Sequence, residues 1–91
     1  METRVALLSI IVEEPSSVPR LNEILHEYGE FIIGRMGLPY RERNINIIAI
    51  AMDAPQGVIS ALSGKIGKLN NVTVKATYSN VGAKDGDTHE S

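Results

Sequence analysis

The chain has 91 residues, with 9 Lys and Arg against 11 Asp and Glu, no Cys, no Trp, one Phe and three Tyr. This length fits a single domain or a subunit of an assembly, and so short a chain gains stability from a partner that buries more of its surface. The net charge of −2 and the few aromatic residues disfavour direct nucleic-acid binding, because they give neither attraction to phosphates nor stacking platforms. Without cysteine, disulfides, iron–sulfur clusters and thiol nucleophiles are excluded.

The hydropathy pattern favours a cytoplasmic protein with no membrane partner. The longest apolar run covers only residues 47–52, whereas a membrane-spanning helix needs about 18 apolar residues or more. The N-terminus also lacks the apolar region of a secretory signal peptide.

The chain begins with a predicted strand and a predicted helix. Residues 4–13 are rich in Val, Ile and Leu and indicate the first strand. The first helix follows, with Ser16 or Ser17 as its N-cap, and ends near Gly29. Its apolar residues recur at helical spacing: Val18, Leu21, Ile24, Leu25 and Tyr28.

The second predicted strand, residues 31–39, is interrupted by glycine. Gly34 and Gly37 indicate either a β-bulge or the close approach of another backbone. The polar residues 40–44 then turn the chain back.

The second half of the chain predicts a strand, a helix and a final strand. Residues 44–53 form the clearest strand, and Asp53 followed by Gln56 is typical of a helix N-cap with a capping box. The second helix ends at residues 70–71, before the last strand at residues 72–79. Its apolar face consists of Val58, Ile59, Leu62, Ile66 and Leu69.

The two halves resemble each other at an offset of 40 residues, as between Leu8 and Ile48, which indicates a doubled β-α-β unit. With right-handed crossovers, the order β-α-β-β-α-β predicts an α+β protein with a ferredoxin-like sandwich. A four-stranded antiparallel sheet would carry two helices on one face, with the first and third strands central. We expect this domain to cover residues 1–79. Residues 80–91 are polar, and we expect them to form a disordered tail.

The first and third strands carry apolar residues on both faces, although the helices can cover only one. In the first strand, Val5, Leu7 and Ile11 oppose Ala6, Leu8, Ile10 and Val12. An uncovered sheet face of this composition is typical of an interaction surface. We therefore expect a homodimer or homotetramer that assembles through the open sheet face.

Catalytic motifs are missing from the sequence. It contains no glycine-rich nucleotide motif, no HExxH or GxSxG, and no paired histidines. The acidic turn that includes Glu13 and Glu14 would repel a phosphate, and near a helix N-terminus these carboxylates favour a capping role. We therefore expect no enzyme activity, no cofactor and no resident metal.

The candidate ligand-binding residues are Ser16, Ser17, Arg35, Tyr40 and Arg43. Arginine is suited to bidentate recognition of carboxylates and phosphates, and the serines lie at a predicted helix N-terminus. The alternative for the arginine-rich segment is an edge strand protected from aggregation by Gly, Pro and charge.

Three segments resemble the small ACT-like proteins described as iron-only hydrogenase system regulators, whose fold is similar to the C-terminal domain of the nickel-responsive repressor. The resemblance covers residues 3–79. It is carried by residues 23–29 (EILHEYG), by residues 33–43 (IGRMGLPYRER), and by Asp53-Ala54-Pro55 leading to residues 58–65 (VISALSGK). It implies a regulatory oligomer that responds to a small ligand or a metal.

Two differences from the nickel-responsive repressor narrow the function that the resemblance implies. The nickel site of that repressor uses His and Cys on strands that contain neither here, so nickel sensing at that position is not expected. Its DNA-binding ribbon-helix-helix domain precedes the ACT-like domain, whereas the first strand here starts near residue 3.

Our main hypothesis is a non-catalytic, ACT-like regulatory homo-oligomer that binds a small molecule or a partner protein. The alternatives are a small enzyme that acts on an anionic substrate through Arg35 and a purely structural oligomerisation module.

Overall fold

One antiparallel sheet of four strands and two helices make up the fold. The computed structural model describes residues 2–80, so most of the predicted tail lies outside the described residues. The elements in chain order are β1 (Arg4–Val12), α1 (Val18–Glu27), β2 (Ile32–Tyr40), β3 (Ile45–Ala54), α2 (Gln56–Gly67) and β4 (Val72–Tyr78). Short 3-10 turns cover Pro15–Ser17, Gly29–Phe31 and Arg41–Arg43.

The strand order in the sheet is β2-β3-β1-β4, and all neighbours are antiparallel. The first and third strands are therefore central, as the sequence predicts. Both helices pack on the same face, which gives the ferredoxin-like α+β sandwich. Asn44 and Asn71 adopt left-handed backbone conformations with φ of 57° and 55°, and each turns the chain into the strand that follows.

The core lies between the sheet and the helices, and it follows the alternation of β1 and β3. Apart from Arg4 and Asn46, the even-numbered residues of both strands are buried beneath the helices: Ala6, Leu8, Ile10, Val12, Ile48, Ile50, Met52 and Ala54. The helices contribute Leu21, Ile24, Leu25, Ile59, Leu62 and Ile66. Because the side-chain period of a strand is two, the odd-numbered residues of β1 and β3 face away from the core.

Strand β2 contains a bulge, which confirms one of the two predicted roles of its glycines. Its pairing with β3 shifts between Ile32 and Gly34, so one extra residue stands in the strand at Ile33. A Cβ built at Gly34 or Gly37 would meet no atom of the chain within 4 Å. Close approach of another backbone within the chain is thus not the reason for these glycines.

The start of α1 differs from the predicted serine cap. The carboxylate of Glu14 accepts the N–H of Ser16 at 3.3 Å and the hydroxyl of Ser16 at 2.9 Å. Ser17 is the residue before α1, but its Oγ makes no capping bond and donates instead to the carbonyl of Asn70 at 2.8 Å. The longer Glu14 side chain therefore caps the preceding 3-10 turn, while Ser17 ties this turn to the loop before β4.

The predicted capping box of α2 is wrong. Asp53 remains in β3, because the pairing of β3 with β1 continues to Ala54 opposite Arg4. The residue before α2 is Pro55, which has no side-chain donor or acceptor, and no side-chain cap forms. The side-chain amide of Gln56 instead donates to the hydroxyl of Tyr78 in β4.

Candidate functional site

The sheet face that points away from the helices is the main candidate surface, and we call it the open face. The strand register assigns to it Val5, Leu7, Ser9 and Ile11 of β1, Ile45, Ile47, Ala49, Ala51 and Asp53 of β3, Met36, Leu38 and Tyr40 of β2, and Thr73, Lys75 and Thr77 of β4. Apolar residues dominate β1, β2 and β3, whereas β4 contributes only threonines and a lysine. The open face is therefore apolar toward β2 and polar toward β4.

The most exposed apolar side chains of the open face lie on β2. Ile47 on the central strand β3 is 37% exposed and Leu7 is 43% exposed, whereas Leu38 and Met36 reach 59% and 68%. Sequence reasoning placed the uncovered apolar surface on β1 and β3 and did not single out the two β2 residues. The alternation of Met36, Leu38 and Tyr40 after Gly34 is the signal that could have found them.

Ser16 and Ser17, predicted at a ligand site, have their hydroxyls committed within the chain. Ser17 is buried and bonds Asn70, and Ser16 bonds the acidic side chain of Glu14. A carboxylate at this position disfavours an anionic ligand at the start of α1 by charge repulsion.

Arg35 lies on the helix side of β2, where its Nη2 donates to Oδ1 of Asn22 in α1 at 2.8 Å. It pairs with Ile50 in the register, which fixes this orientation. Its guanidinium is exposed and retains further donors, so it can bind a carboxylate or phosphate beside α1.

Tyr40 and Arg43 lie at the other end of β2, around the hairpin to β3. The hydroxyl of Tyr40 donates to Oε1 of Glu42 at 2.7 Å. This bond and a smaller contribution from desolvation raise the pKa of Tyr40 above its usual value of 10.0. Because Tyr40 faces the open side and Arg35 faces the helix side, the structure does not bring the five predicted residues onto one surface.

A polar network that the sequence did not reveal joins β1, α2 and β4. Nη1 of Arg4 donates to Oε1 of Gln56 at 3.0 Å, and Nε2 of Gln56 donates to the hydroxyl of Tyr78 at 2.7 Å. The Arg4 guanidinium also lies 4.3 Å from the centroid of the Tyr78 ring, in cation–π geometry. The three residues are far apart in sequence, so no local spacing indicates this network.

Within residues 2–80, no three His, Asp or Glu side chains are grouped so that they could hold a metal ion. In the same range, every buried side-chain nitrogen or oxygen has a hydrogen-bond partner. No helix there is long and apolar enough to cross a membrane. The main candidate site in this range is therefore the open face of the sheet.

This architecture defines an α+β protein of the ferredoxin-like class whose sheet is open on one side. The family model TM1266-like, described as "Iron-only hydrogenase system regulator, putative", matches residues 4–76, and the chain belongs to this family. A solved structure of the protein TM1266 from Thermotoga maritima is similar, with 37% sequence identity and a TM-score of 0.81. The match covers 85% of this chain and 98% of that one.

A second solved structure is similar to this chain in fold alone. It is a formyltetrahydrofolate deformylase from Pseudomonas putida KT2440, with 12% identity and a TM-score of 0.62. The match covers 84% of this chain but 29% of the deformylase. A search of curated proteins gives no match.

Proposed function

We propose that this protein is a non-catalytic regulatory subunit of an iron-only hydrogenase system and that it works as a homo-oligomer. Membership of the TM1266-like family supports the regulatory role. The observation that carries the oligomer is the open face, where large apolar side chains such as Met36 and Leu38 are more than half exposed. Exposed apolar patches of this kind are typical of protein interfaces.

A small anionic molecule or a partner protein is the input that we propose for this regulator. The free donors of Arg35 support an anionic ligand on the helix side, and Tyr40 and Arg43 provide polar contacts at the hairpin. The alternative of a small enzyme that uses Arg35 has less support. The bonded neighbour of Arg35 is the amide of Asn22, which cannot act as a general base at neutral pH.

The regulatory role is tested in the organism that encodes the chain. Deletion of the gene should change hydrogenase activity in cell extracts, and expression of the wild-type chain from a second locus should restore it. The variant Ile47→Lys places a charge at the centre of the open face and should fail to restore it, although Ile47 is outside the buried core. Thr73→Lys is the matched control, because β4 already carries Lys75 on the same face. Unchanged hydrogenase activity after deletion would overturn the regulatory role.

The ligand is tested by thermal unfolding of the purified protein with phosphate, nucleotides and amino acids as probes. A stabilising shift that disappears in Arg35→Ala would locate the ligand beside α1. Arg20→Ala is the control, because Arg20 is an exposed arginine of the same helix layer that pairs with Glu23 at 3.0 Å. No shift with any probe would count against a small-molecule input and leave a partner protein as the proposed input.

A further inference from the structure

Strand β4 forms one edge of the sheet, and no strand among the described residues pairs with its outer side. It is a regular strand of seven residues, VTVKATY, with neither Gly nor Pro and with no shift in its register with β1. Natural edge strands commonly carry a proline or a bulge that prevents the addition of another strand. Because β4 has neither and is rich in β-branched residues, it is suited to receive a further strand.

Two hydrogen bonds at the ends of β4 show which backbone groups point outward. The N–H of Ser79 donates to the carbonyl of Val5, and the N–H of Glu13 donates to the carbonyl of Asn71, both at 2.9 Å. The odd-numbered residues of β4 therefore exchange their hydrogen bonds with β1. By alternation, the even-numbered residues direct N–H and C=O to the outer edge: Val72, Val74, Ala76 and Tyr78.

The flank of α2 that lies over β4 consists mainly of short side chains. At the start of α2, Gln56 bonds the hydroxyl of Tyr78 at 2.7 Å. Near its end, a Cβ built at Gly67 would lie 3.5 Å from Cγ1 of Val74. Ser60 is exposed and lies between them on the same flank, one helical turn after Gln56. These short side chains leave room on the helix side for the side chains of an added strand.

Lys75 indicates the charge of the added strand. It lies at the centre of β4 on the open side, opposite Ser9 of β1, and it forms no salt bridge within residues 2–80. Pairing of β4 with β4 of a second copy would bring two Lys75 ammonium groups close together, which is unfavourable. A carboxylate opposite Lys75 would be favourable, because the Cα atoms of such a non-hydrogen-bonded pair lie only about 4.5 Å apart. The charge thus favours an acidic segment over a second copy.

We propose that β4 binds an extended acidic segment of a partner protein, which adds to the four-stranded sheet as a further antiparallel strand. Apolar residues of the segment alternate with polar ones and lie beside Val74 and Ala76 on the helix side. A Glu or Asp of the segment stands opposite Lys75. This inference rests on the partner protein that the proposed function gives as an input, and it specifies the chemistry of that partner.

Hydrogen exchange tests the alternation directly. The full chain is titrated with the capped peptide TVEVTVE, and the capped peptide TVKVTVK is the matched control. With TVEVTVE at about ten times its Kd, solvent exchange of the Val74 and Ala76 amides, measured by NMR, should slow about tenfold. The amides of Thr73 and Thr77 should not change, because they already bond β1. TVKVTVK should bind about five- to twentyfold more weakly, because it places a like charge opposite Lys75.

Two substitutions test the charge and the outward donors separately. Lys75→Glu should reverse the preference, so that TVKVTVK binds more tightly than TVEVTVE. Ala76→Pro removes an outward N–H without removing a bond to β1, and it should raise the Kd of TVEVTVE about three- to thirtyfold. Ala76→Ser keeps the N–H and is the matched control. Circular dichroism checks folding, and if Ala76→Pro does not fold, Lys75→Glu and the exchange pattern decide.

Each other outcome overturns the partner segment. No binding of TVEVTVE, or equal slowing at odd and even residues of β4, would exclude strand addition at this edge. Outer amides that are protected without peptide and lose this protection on dilution would assign the edge to a second copy. Protection that is lost in a full chain with Asp85→Lys, Asp87→Lys and Glu90→Lys would assign the edge to residues 81–91. The regulatory role is tested separately by gene deletion and stands in all these cases.

Discussion

The two edge strands of the sheet differ in what covers them. Strand β4 faces α2 with Val72, Val74, Ala76 and Tyr78, and a Cβ built at Gly67 of α2 would lie 3.5 Å from Val74. Strand β2 presents Arg35, Gly37 and Pro39 to the helix side, where only Arg35 makes a side-chain hydrogen bond with a helix. On its helix side, one edge is thus covered by the fold itself, whereas the other is exposed in the described residues.

Strands β2 and β4 have similar sequence patterns, and the bulge at Ile33 makes their side chains face opposite sides of the sheet. At the 40-residue offset of the two halves, Gly34, Met36 and Leu38 correspond to Val74, Ala76 and Tyr78, which face the helices. One extra residue in β2 reverses the alternation, so the same positions face the open side. The bulge therefore transfers apolar side chains from the core side to a surface.

The largest expected contrast is between a leucine of the core and a leucine of β2. Leu8 is fully buried, between Ile50 of β3 and Ala76 of β4 in the register. Leu8→Ala should lower the free energy of unfolding by about 2 to 5 kcal/mol because it opens a cavity. Leu38→Ala should lower it by less than about 1 kcal/mol at concentrations where the protein is monomeric. Urea denaturation of both variants measures the contrast, and equal losses would contradict the exposed position of Leu38 on β2.

A charge introduced on each edge strand should give a smaller contrast of the same kind. Val74→Lys forces an ammonium group against α2 and should cost about 1 to 3 kcal/mol of stability. Met36→Lys should leave the unfolding of the monomer almost unchanged and weaken self-association. Thermal unfolding and sedimentation of the two variants check this prediction. A monomer destabilised equally by Met36→Lys would show that β2 is already packed.

A hydrogen bond of Ser17 holds the loop before β4, and its loss should have a moderate effect. Ser17→Ala removes the 2.8 Å bond to the carbonyl of Asn70 and should lower the free energy of unfolding by about 1 kcal/mol. Ser16→Ala is the matched control, since Ser16 is exposed and bonds only Glu14 nearby. Hydrogen exchange at Val72 should increase in Ser17→Ala alone. If Ser16→Ala had the larger effect, the buried bond would not be what anchors this loop.

Much of the fold follows from local patterns in the sequence. The runs of Val, Ile and Leu in residues 4–13 and of Ile in residues 44–53, together with helical spacing in α1 and α2, are enough to give the strand order, because right-handed crossovers permit few arrangements. The capping of the helices was harder to predict. Asp53 matches an N-cap pattern, but its backbone is already used by the pairing of β3 with β1, and such tertiary competition is invisible in a short window.

The candidate site was less predictable because it depends on strand direction. Arg35 and Tyr40 are close in sequence, yet an odd separation along a strand places them on opposite faces. The bulge that decides the direction of Met36 and Leu38 is indicated by Gly34, but a glycine does not specify where the extra residue stands. The network of Arg4, Gln56 and Tyr78 joins three elements, so it required the tertiary structure.

The smallest expected contrast is between the tyrosines that end the two edge strands, and it concerns the pKa of Tyr40. Tyr78 of β4 bonds Gln56 from α2, whereas Tyr40 of β2 bonds Glu42 only two residues further along the chain. Deprotonation of Tyr40 breaks its bond to Glu42, and this loss, with a smaller contribution from desolvation, raises the pKa of Tyr40. Glu42→Gln should therefore lower the pKa of Tyr40 toward its usual value, while Gln56→Ala should not change it.

The raised pKa of Tyr40 determines how this residue's contribution to the stability of the fold depends on pH. The folded state holds the Tyr40 proton more tightly than the unfolded state, so the contribution is present below the unfolded pKa near 10 and is lost as the pH rises through the folded value. Because the side chain is exposed, the effect on unfolding should be small. NMR titration of the Tyr40 ring carbon Cζ in wild type and Glu42→Gln measures the shift. An unchanged titration in Glu42→Gln would show that the bond to Glu42 is not what raises the pKa of Tyr40.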